Sequence, residues 1–234
     1  MNRPMLKISG LQAWYGESHV LHGVDLTVKE GETVTLLGRN GAGKTTTLKS
    51  IVGVVRERQG SIMFDGRDLM TLPLHHVARQ GIGFVPEDRG IYSSLSVMEN
   101  LMLPPKFTPG GLSVSEIFNL FPNLEERRNS QGTKLSGGEQ QMLAIARILR
   151  TGARFLILDE PTEGLSPVIV QRIGEILKLL RERGMTILLV EQNFRFAQKL
   201  ADRFYVMEDG HIVDTFSASE LDSRLHGLQA MLGV

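Results

Sequence analysis

The chain reads as an α/β protein built on a mostly parallel sheet, and three observations predict this. Short apolar runs with strand character alternate with segments of helical period. One of those runs, residues 33–37, passes directly into the glycine-rich loop Gly38-Arg39-Asn40-Gly41-Ala42-Gly43-Lys44-Thr45 and then into a helix. Another, residues 155–158, ends in the consecutive carboxylates Asp159 and Glu160. Strands separated by helices need crossover connections, which lay successive strands parallel.

Taken in order, residues 6–9 and 24–28 alternate apolar and polar positions as half-buried strands do. Residues 33–37 form a short apolar strand, and residues 45–52 supply the helix after the loop. Residues 60–64 read as a strand closed by the turn Asp65-Gly66. A short helix over 74–80 leads to an apolar strand at 82–85. From about residue 91 to 150 the character changes: Pro104-Pro105 and Pro109-Gly110-Gly111 interrupt helical periodicity. Residues 91–150 are therefore expected as an inserted helical subdomain, with about 1–90 and 151–234 forming the core of the same single domain. Strands at 156–158, 187–190 and 204–207 alternate with helices near 168–183 and 194–200. Residues 217–234 read as one amphipathic helix or two short ones.

Composition narrows the function. The 234 residues carry 26 Lys and Arg against 26 Asp and Glu, so no basic excess argues for nucleic acid or an anionic membrane surface. Hydrophobic residues make up 41% and charged residues 22%, as in ordinary globular domains with a substantial core. No cysteine is present, which excludes disulfides, thiolate metal sites and cysteine nucleophiles and fits a reducing compartment. Met1-Asn2-Arg3-Pro4-Met5 leads straight into a strand pattern without an apolar stretch of signal-peptide length. The strongest apolar runs are far too short to cross a bilayer. Any membrane function is thus expected to act through a partner chain.

The loop from Gly38 to Thr45 is a full G-x-x-x-x-G-K-[ST] Walker A pattern in its required strand–loop–helix context. Glycines let backbone N–H groups crowd around phosphates; Lys44 is expected at the β/γ-phosphates and Thr45 on Mg²⁺. The strand ending in Asp159-Glu160 matches a Walker B strand, with Asp159 for Mg²⁺ and Glu160 for the attacking water. Leu135-Ser136-Gly137-Gly138-Glu139-Gln140-Gln141 is a second glycine turn opening a helix, with Ser136 as N-cap and Glu139 at capping-box spacing. A well-capped helix would account for that stretch on its own. His75-His76 has no carboxylate or cysteine at ligand spacing and reads as solvated loop. Glu125-Glu126-Arg127-Arg128 reads as an exposed helix face.

Together, in this order, the three motifs resemble those of the ATP-binding cassette (ABC) ATPases over nearly the whole chain. The resemblance implies a P-loop NTPase (RecA-like) core sheet, an N-terminal antiparallel β-subdomain and an inserted helical subdomain. It implies ATP bound by Gly38, Arg39, Asn40, Gly41, Ala42, Gly43, Lys44, Thr45 and Thr46, with Tyr15 stacking on adenine. Packing of Tyr15 on the β-subdomain is the plainer alternative. Mg²⁺ is expected near Thr45, Glu87 and Asp159. Ser136, Gly137, Gly138 and Glu139 are expected to face the γ-phosphate held by an opposite subunit, at a helix N-terminus that favours anions. The working unit implied is a homo- or heteromeric dimer of cassettes on the cytoplasmic face of a membrane. It would be attached to permease subunits and reached indirectly by a solute-binding protein outside.

Three positions depart from the common family pattern. Val85-Pro86-Glu87 carries a glutamate where most members have glutamine. Ser166, in Pro161-Thr162-Glu163-Gly164-Leu165-Ser166-Pro167, stands where aspartate is usual. Gln192, in Val190-Glu191-Gln192-Asn193, replaces a histidine. This set is similar to that of the ATPases of branched-chain amino acid, amide and urea importers. Gln192 is then expected as a catalytic γ-phosphate contact that hydrogen-bonds without titrating; capping the helix near Phe194 is its alternative role. An exporter ATPase of the lipopolysaccharide type and a soluble regulatory or assembly ATPase are the two rival functions.

Overall fold

The computed structural model describes residues 4–221, 223 and 224. Two sheets organise them. In the smaller sheet, β1 (Pro4–Tyr15) pairs antiparallel with β2 (Ser18–Lys29) and β4 (Arg58–Phe64), and β4 with β5 (Arg67–Asp68), giving the order β2-β1-β4-β5. The larger sheet comprises β3 (Thr33–Leu37), β6 (Ile82–Val85), β7 (Phe155–Asp159), β8 (Thr186–Glu191), β9 (Arg203–Glu208) and β10 (His211–Ser217). Its order is β10-β9-β3-β8-β7-β6, parallel except where β10 returns beside β9. Every residue of β3, β7 and β8 is buried, as expected of central parallel strands covered on both faces.

Strand alternation divides the core into layers. Phe155 and Ile157 of β7, with Leu188 and Val190 of β8, pack toward the smaller sheet against Leu6, Ile8, Leu26 and α1 (Lys44–Ile51). Leu156, Leu158, Ile187 and Leu189 face the opposite way. There they meet α3 (Val97–Met102), α4 (Val114–Leu120), α5 (Pro122–Glu126), α6 (Gly137–Arg150) and α7 (Pro167–Glu182). A third cluster joins Leu37, Phe194, Phe204 and Phe216.

Parallel register sets the position of the chemistry-bearing residues. Leu37 pairs with Glu191, Asp159 with Val190, and Val85 with Leu158. Gly38, Glu160, Gln192 and Pro86-Glu87 therefore leave the sheet side by side at its carboxyl edge, where open α/β sheets present their ligand sites.

Several expectations need correction. β1 and β2 run for 12 residues each, well beyond the strand patterns at 6–9 and 24–28, because the bulges that break their alternation do not break their pairing. Neither β5 nor β10 is expected from the sequence pattern. The segment from Phe194 is helical only as α8 (Phe194–Ala197). His75 and His76 lie on α2 (Leu74–Ala78), not in a loop. Arg127 and Arg128 follow α5, although all of 125–128 is exposed. The helix expected over 217–234 lies mostly outside the described residues. Among the described residues no helix is long and apolar enough to cross a membrane.

Candidate functional site

The glycine loop owes its shape to two close approaches. A Cβ at Gly38 would collide with the Met207 carbonyl oxygen, and one at Gly43 would come within 2.8 Å of Leu21 Cδ2. Gly43 also has φ 105°, which disfavours any other residue there. Behind the loop, the Asp209-Gly210 turn between β9 and β10 has φ of 43° and 77°, the left-handed pair of a type I′ hairpin. The Gly210 N–H donates to the Ala42 carbonyl at 2.9 Å and the His22 N–H to the Gly210 carbonyl at 3.0 Å. The hairpin thus wedges the loop against β2.

Lys44 opens α1 and turns back over the loop. Its Nζ donates to the carbonyls of Gly38 (2.8 Å) and Arg39 (3.1 Å) and lies 3.2 Å from Glu160 Oε1. Glu160 holds φ at 46°, an uncommon conformation for a non-glycine residue and one that occurs at functional sites. Its other oxygen accepts from Gln192 Nε2 at 2.6 Å, and the same amide donates to Asn40 Oδ1 at 2.6 Å. Asn193, not Gln192, caps α8, accepting from the Phe196 N–H.

Thr45 Oγ1 donates to Asp159 Oδ1 at 3.1 Å, while Asp159 Oδ2 is buried with no hydrogen-bond partner among the described residues. Burial pushes the Asp159 carboxyl up to about 6, against the pull of the Thr45 hydrogen bond. A buried carboxylate with one unused oxygen, next to a hydroxyl, is a donor set suited to a hard cation such as Mg²⁺. Glu163 is also raised, by burial and by its neighbours Glu160 and Glu87.

These groups surround a cleft of about 410 Å³ lined by Asn40, Gly41, Gly43, Lys44, Thr45, Thr46, Glu87, Glu160 and Glu163, with Val20. Arg39 and Ala42 line an adjoining depression of about 470 Å³. Tyr15, 50% exposed at the β1–β2 turn, lines neither. Its neighbour Trp14 stacks on His19 with centroids 4.4 Å apart, in a row of rings continued by His22 and His211.

Ser136–Glu139 also stands apart from the cleft. Ser136 caps α6 in a reciprocal box: its Oγ accepts from the Glu139 N–H at 3.3 Å, and Glu139 Oε2 accepts from the Ser136 N–H at 2.8 Å. The same box opens α3 (Ser96, Glu99) and α4 (Ser113, Glu116), so capping alone does not set α6 apart. Its glycines do. A Cβ at Gly138 would strike Ile169 at 2.8 Å, and Gly137 lies against the Arg89 guanidinium.

A model of the ABC transporter family matches residues 21–163. The chain belongs to the ABC transporter ATPase family. It is 45% identical over 212 residues to the high-affinity branched-chain amino acid transport ATP-binding protein BraG of Pseudomonas aeruginosa, covering 89% of this chain and 91% of that one. It is 37% identical over 235 residues to the lipopolysaccharide export system ATP-binding protein LptB of Escherichia coli K12, covering 97% of each. Among solved structures, a dimeric ATP-binding cassette in a post-hydrolysis state with ADP and Pi matches with a TM-score of 0.79 at 26% identity, over 92% of this chain and 99% of that one.

Within this ABC ATPase, eight of the expected residues line one cleft: Asn40, Gly41, Gly43, Lys44, Thr45, Thr46, Glu87 and Glu160. Gly38, Arg39 and Ala42 line the adjoining depression, Asp159 and Gln192 join the group by hydrogen bonds to Thr45 and Glu160, and Tyr15 and Ser136–Glu139 line neither. Two acids escape a reading of the sequence. Glu163 lies inside an otherwise loop-like stretch, where only its spacing from Glu160 hints at the cleft. Glu191, 2% exposed, ends a strand whose apolar run draws attention away from it. Burial pushes its carboxyl up to about 7.

Proposed function

We propose that this ABC ATPase is the ATP-hydrolysing motor of a membrane transporter and works as a dimer of cassettes, homo- or heteromeric. The observation that carries the reading is spatial: no residue of the α6 N-terminus, Ser136–Glu139, lines the glycine-loop cleft of its own chain. A second cassette can bring its Ser136–Glu139 to the ATP held at the first. In this reading residues 91–150 are the helical subdomain carrying that signature, and about 1–90 with 151–234 the catalytic core.

The backbone N–H groups of 38–46 and the Lys44 ammonium hold the phosphates. Thr45 and Asp159, with Glu87 nearby, hold Mg²⁺, whose part is to neutralise phosphate charge. Glu160 takes the proton of the attacking water, and Gln192 donates to the charge developing on the γ-phosphate. Tyr15, exposed beside the β1–β2 turn, is free to stack on adenine.

The partner on the membrane side is a permease. Tyr92, Met102 and Leu103 are large apolar side chains, each about half exposed, on the segment between the Glu87 loop and the end of α3. Exposed apolar side chains on this segment suit a protein partner. The protein then sits peripherally on the cytoplasmic face of the membrane. Glu87, Ser166 and Gln192, together with the likeness to BraG, favour an importer of branched-chain amino acids or related amides or urea, served by an external solute-binding protein. The likeness to LptB over nearly the whole chain supports export as the second reading, and the polytopic chain that co-purifies decides between them.

Subunit mixing tests the dimer. Lys44→Ala and Ser136→Arg chains are each expected to be inactive alone and to regain activity together, through one intact composite site. No recovery, with heterodimers verified by crosslinking, would overturn the shared site.

A further inference from the structure

The Glu191 carboxylate uses both oxygens inside the protein. Oε1 accepts from Thr162 Oγ1 at 2.8 Å and from the Thr162 N–H at 3.2 Å; Oε2 accepts from the Asn193 N–H at 3.3 Å. Thr162 lies two residues beyond Glu160, in the loop that leaves β7. Asn193 follows Gln192, on the segment that leaves β8. One buried side chain therefore ties together the two backbones that carry Glu160 and Gln192.

Those two residues meet on the other side of the same joint, where Gln192 Nε2 donates to Glu160 Oε2 at 2.6 Å. The backbone closes a further link, with the Glu160 N–H donating to the Val190 carbonyl at 3.0 Å. Alternation along β8 accounts for the geometry: Glu191 points inward and Gln192 outward. Burying a carboxylate is unfavourable unless donors compensate, and here all three donors belong to the segments flanking Glu160 and Gln192.

We propose that Glu191 is a positioning residue for hydrolysis, which locks the loop after Glu160 to the segment presenting Gln192 and so holds the Gln192 amide on the Glu160 carboxylate. The role rests on Glu160 as the base and on Gln192 as the donor to the γ-phosphate, its Nε2 keeping one N–H on Glu160 while the other exchanges Asn40 Oδ1 for the phosphate. A positioning role through a rigid joint alters how often the reacting groups are aligned, so it acts on turnover and not on nucleotide capture.

The experiment measures kcat, KM and equilibrium ATP affinity of the full chain for Glu191→Ala, Glu191→Gln, Thr162→Val, Gln192→Ala and the double variant Glu191→Ala/Gln192→Ala. Glu191→Ala is expected to lower kcat about 10-fold with KM within about twofold. Glu191→Gln keeps an oxygen acceptor for both Thr162 donors, so it should recover most of the loss. Because Glu191 acts through Gln192, the double variant should be no slower than the slower single variant, a non-additivity expected of residues in one network. Additive losses, a rise in KM with kcat unchanged, or a Glu191→Gln variant as slow as Glu191→Ala would each overturn the proposal. If Glu191→Ala does not fold, Thr162→Val decides: a wild-type kcat there overturns it, and a fall in kcat alone supports it. Glu160→Gln run in parallel separates the two levels. Full activity in that variant removes the hydrolytic reading itself, whereas an inactive Glu160→Gln with additive Glu191 and Gln192 losses removes only the joint.

Discussion

The Lys44 ammonium and the Glu160 carboxylate form an ion pair at 3.2 Å, with side chains only 4% and 9% exposed. The residue assigned to the phosphates and the residue assigned to water activation are thus partners, and an arriving γ-phosphate competes with Glu160 for Lys44. Little solvent screens such a pair, so exchanging one anion for another is less costly than leaving Lys44 unpaired.

Glu160→Gln should therefore keep or tighten ATP binding while kcat falls by about 10² to 10⁴. Lys44→Ala should weaken binding itself and leave the little-exposed Glu160 carboxylate without its cation. Titration of ATP against each variant, beside steady-state turnover, checks both. A Glu160→Gln chain that hydrolyses at the wild-type rate removes this residue from water activation.

The repeated capping boxes supply an internal control for the α6 N-terminus. Ser136→Ala and Ser113→Ala each remove one cap of the same geometry and should each cost about 1 kcal/mol of stability. Only Ser136→Ala should also reduce ATP turnover. Equal turnover in the two variants would reduce Ser136 to a cap.

Glu191 gives stability a defined pH dependence. Its folded-state pKa is raised from 4.5 to about 7 by burial, so the folded protein retains a proton that the unfolded chain has released. Its contribution is most favourable below about pH 4.5 and declines as pH rises toward 7, by on the order of 2–3 kcal/mol. Glu191→Gln should flatten that decline in thermal melts between pH 5 and 8. The same slope in both proteins would show that Glu191 does not titrate there.

Gly210 should be intolerant of a side chain for a reason that reaches the nucleotide. A Cβ there would run into the Val20 carbonyl and come within 2.7 Å of His22 Cδ2, at a φ of 77°. Since the Gly210 N–H holds the Ala42 carbonyl, Gly210→Ala should lower stability by about 1–3 kcal/mol and weaken ATP affinity as well. Loss of stability with unchanged ATP affinity would show that the hairpin does not brace the loop.

Much of this protein is legible from local chemistry. The strand–loop–helix at residues 33–52, the two carboxylates closing β7 and the Ser136 cap each depend on neighbours within a few residues, where turn preference and side-chain period act directly. Asp209-Gly210 carries the same kind of turn signal, yet β10 escapes a sequence reading because it lacks a strong apolar alternation. What only the tertiary structure decided are the partners across the sheet. Gln192 and Asn40 are 152 residues apart, Thr45 and Asp159 114, Glu191 and Thr162 29. Each pair meets because β3, β8 and β7 lie side by side in one parallel register, and that order is set by burial of both sheet faces, a property of the folded layers and of no single segment. Which acids were left buried at the joint followed from that packing alone, whereas the Asn193 cap of α8 is local, set by an Asn three residues before the Phe196 N–H it accepts.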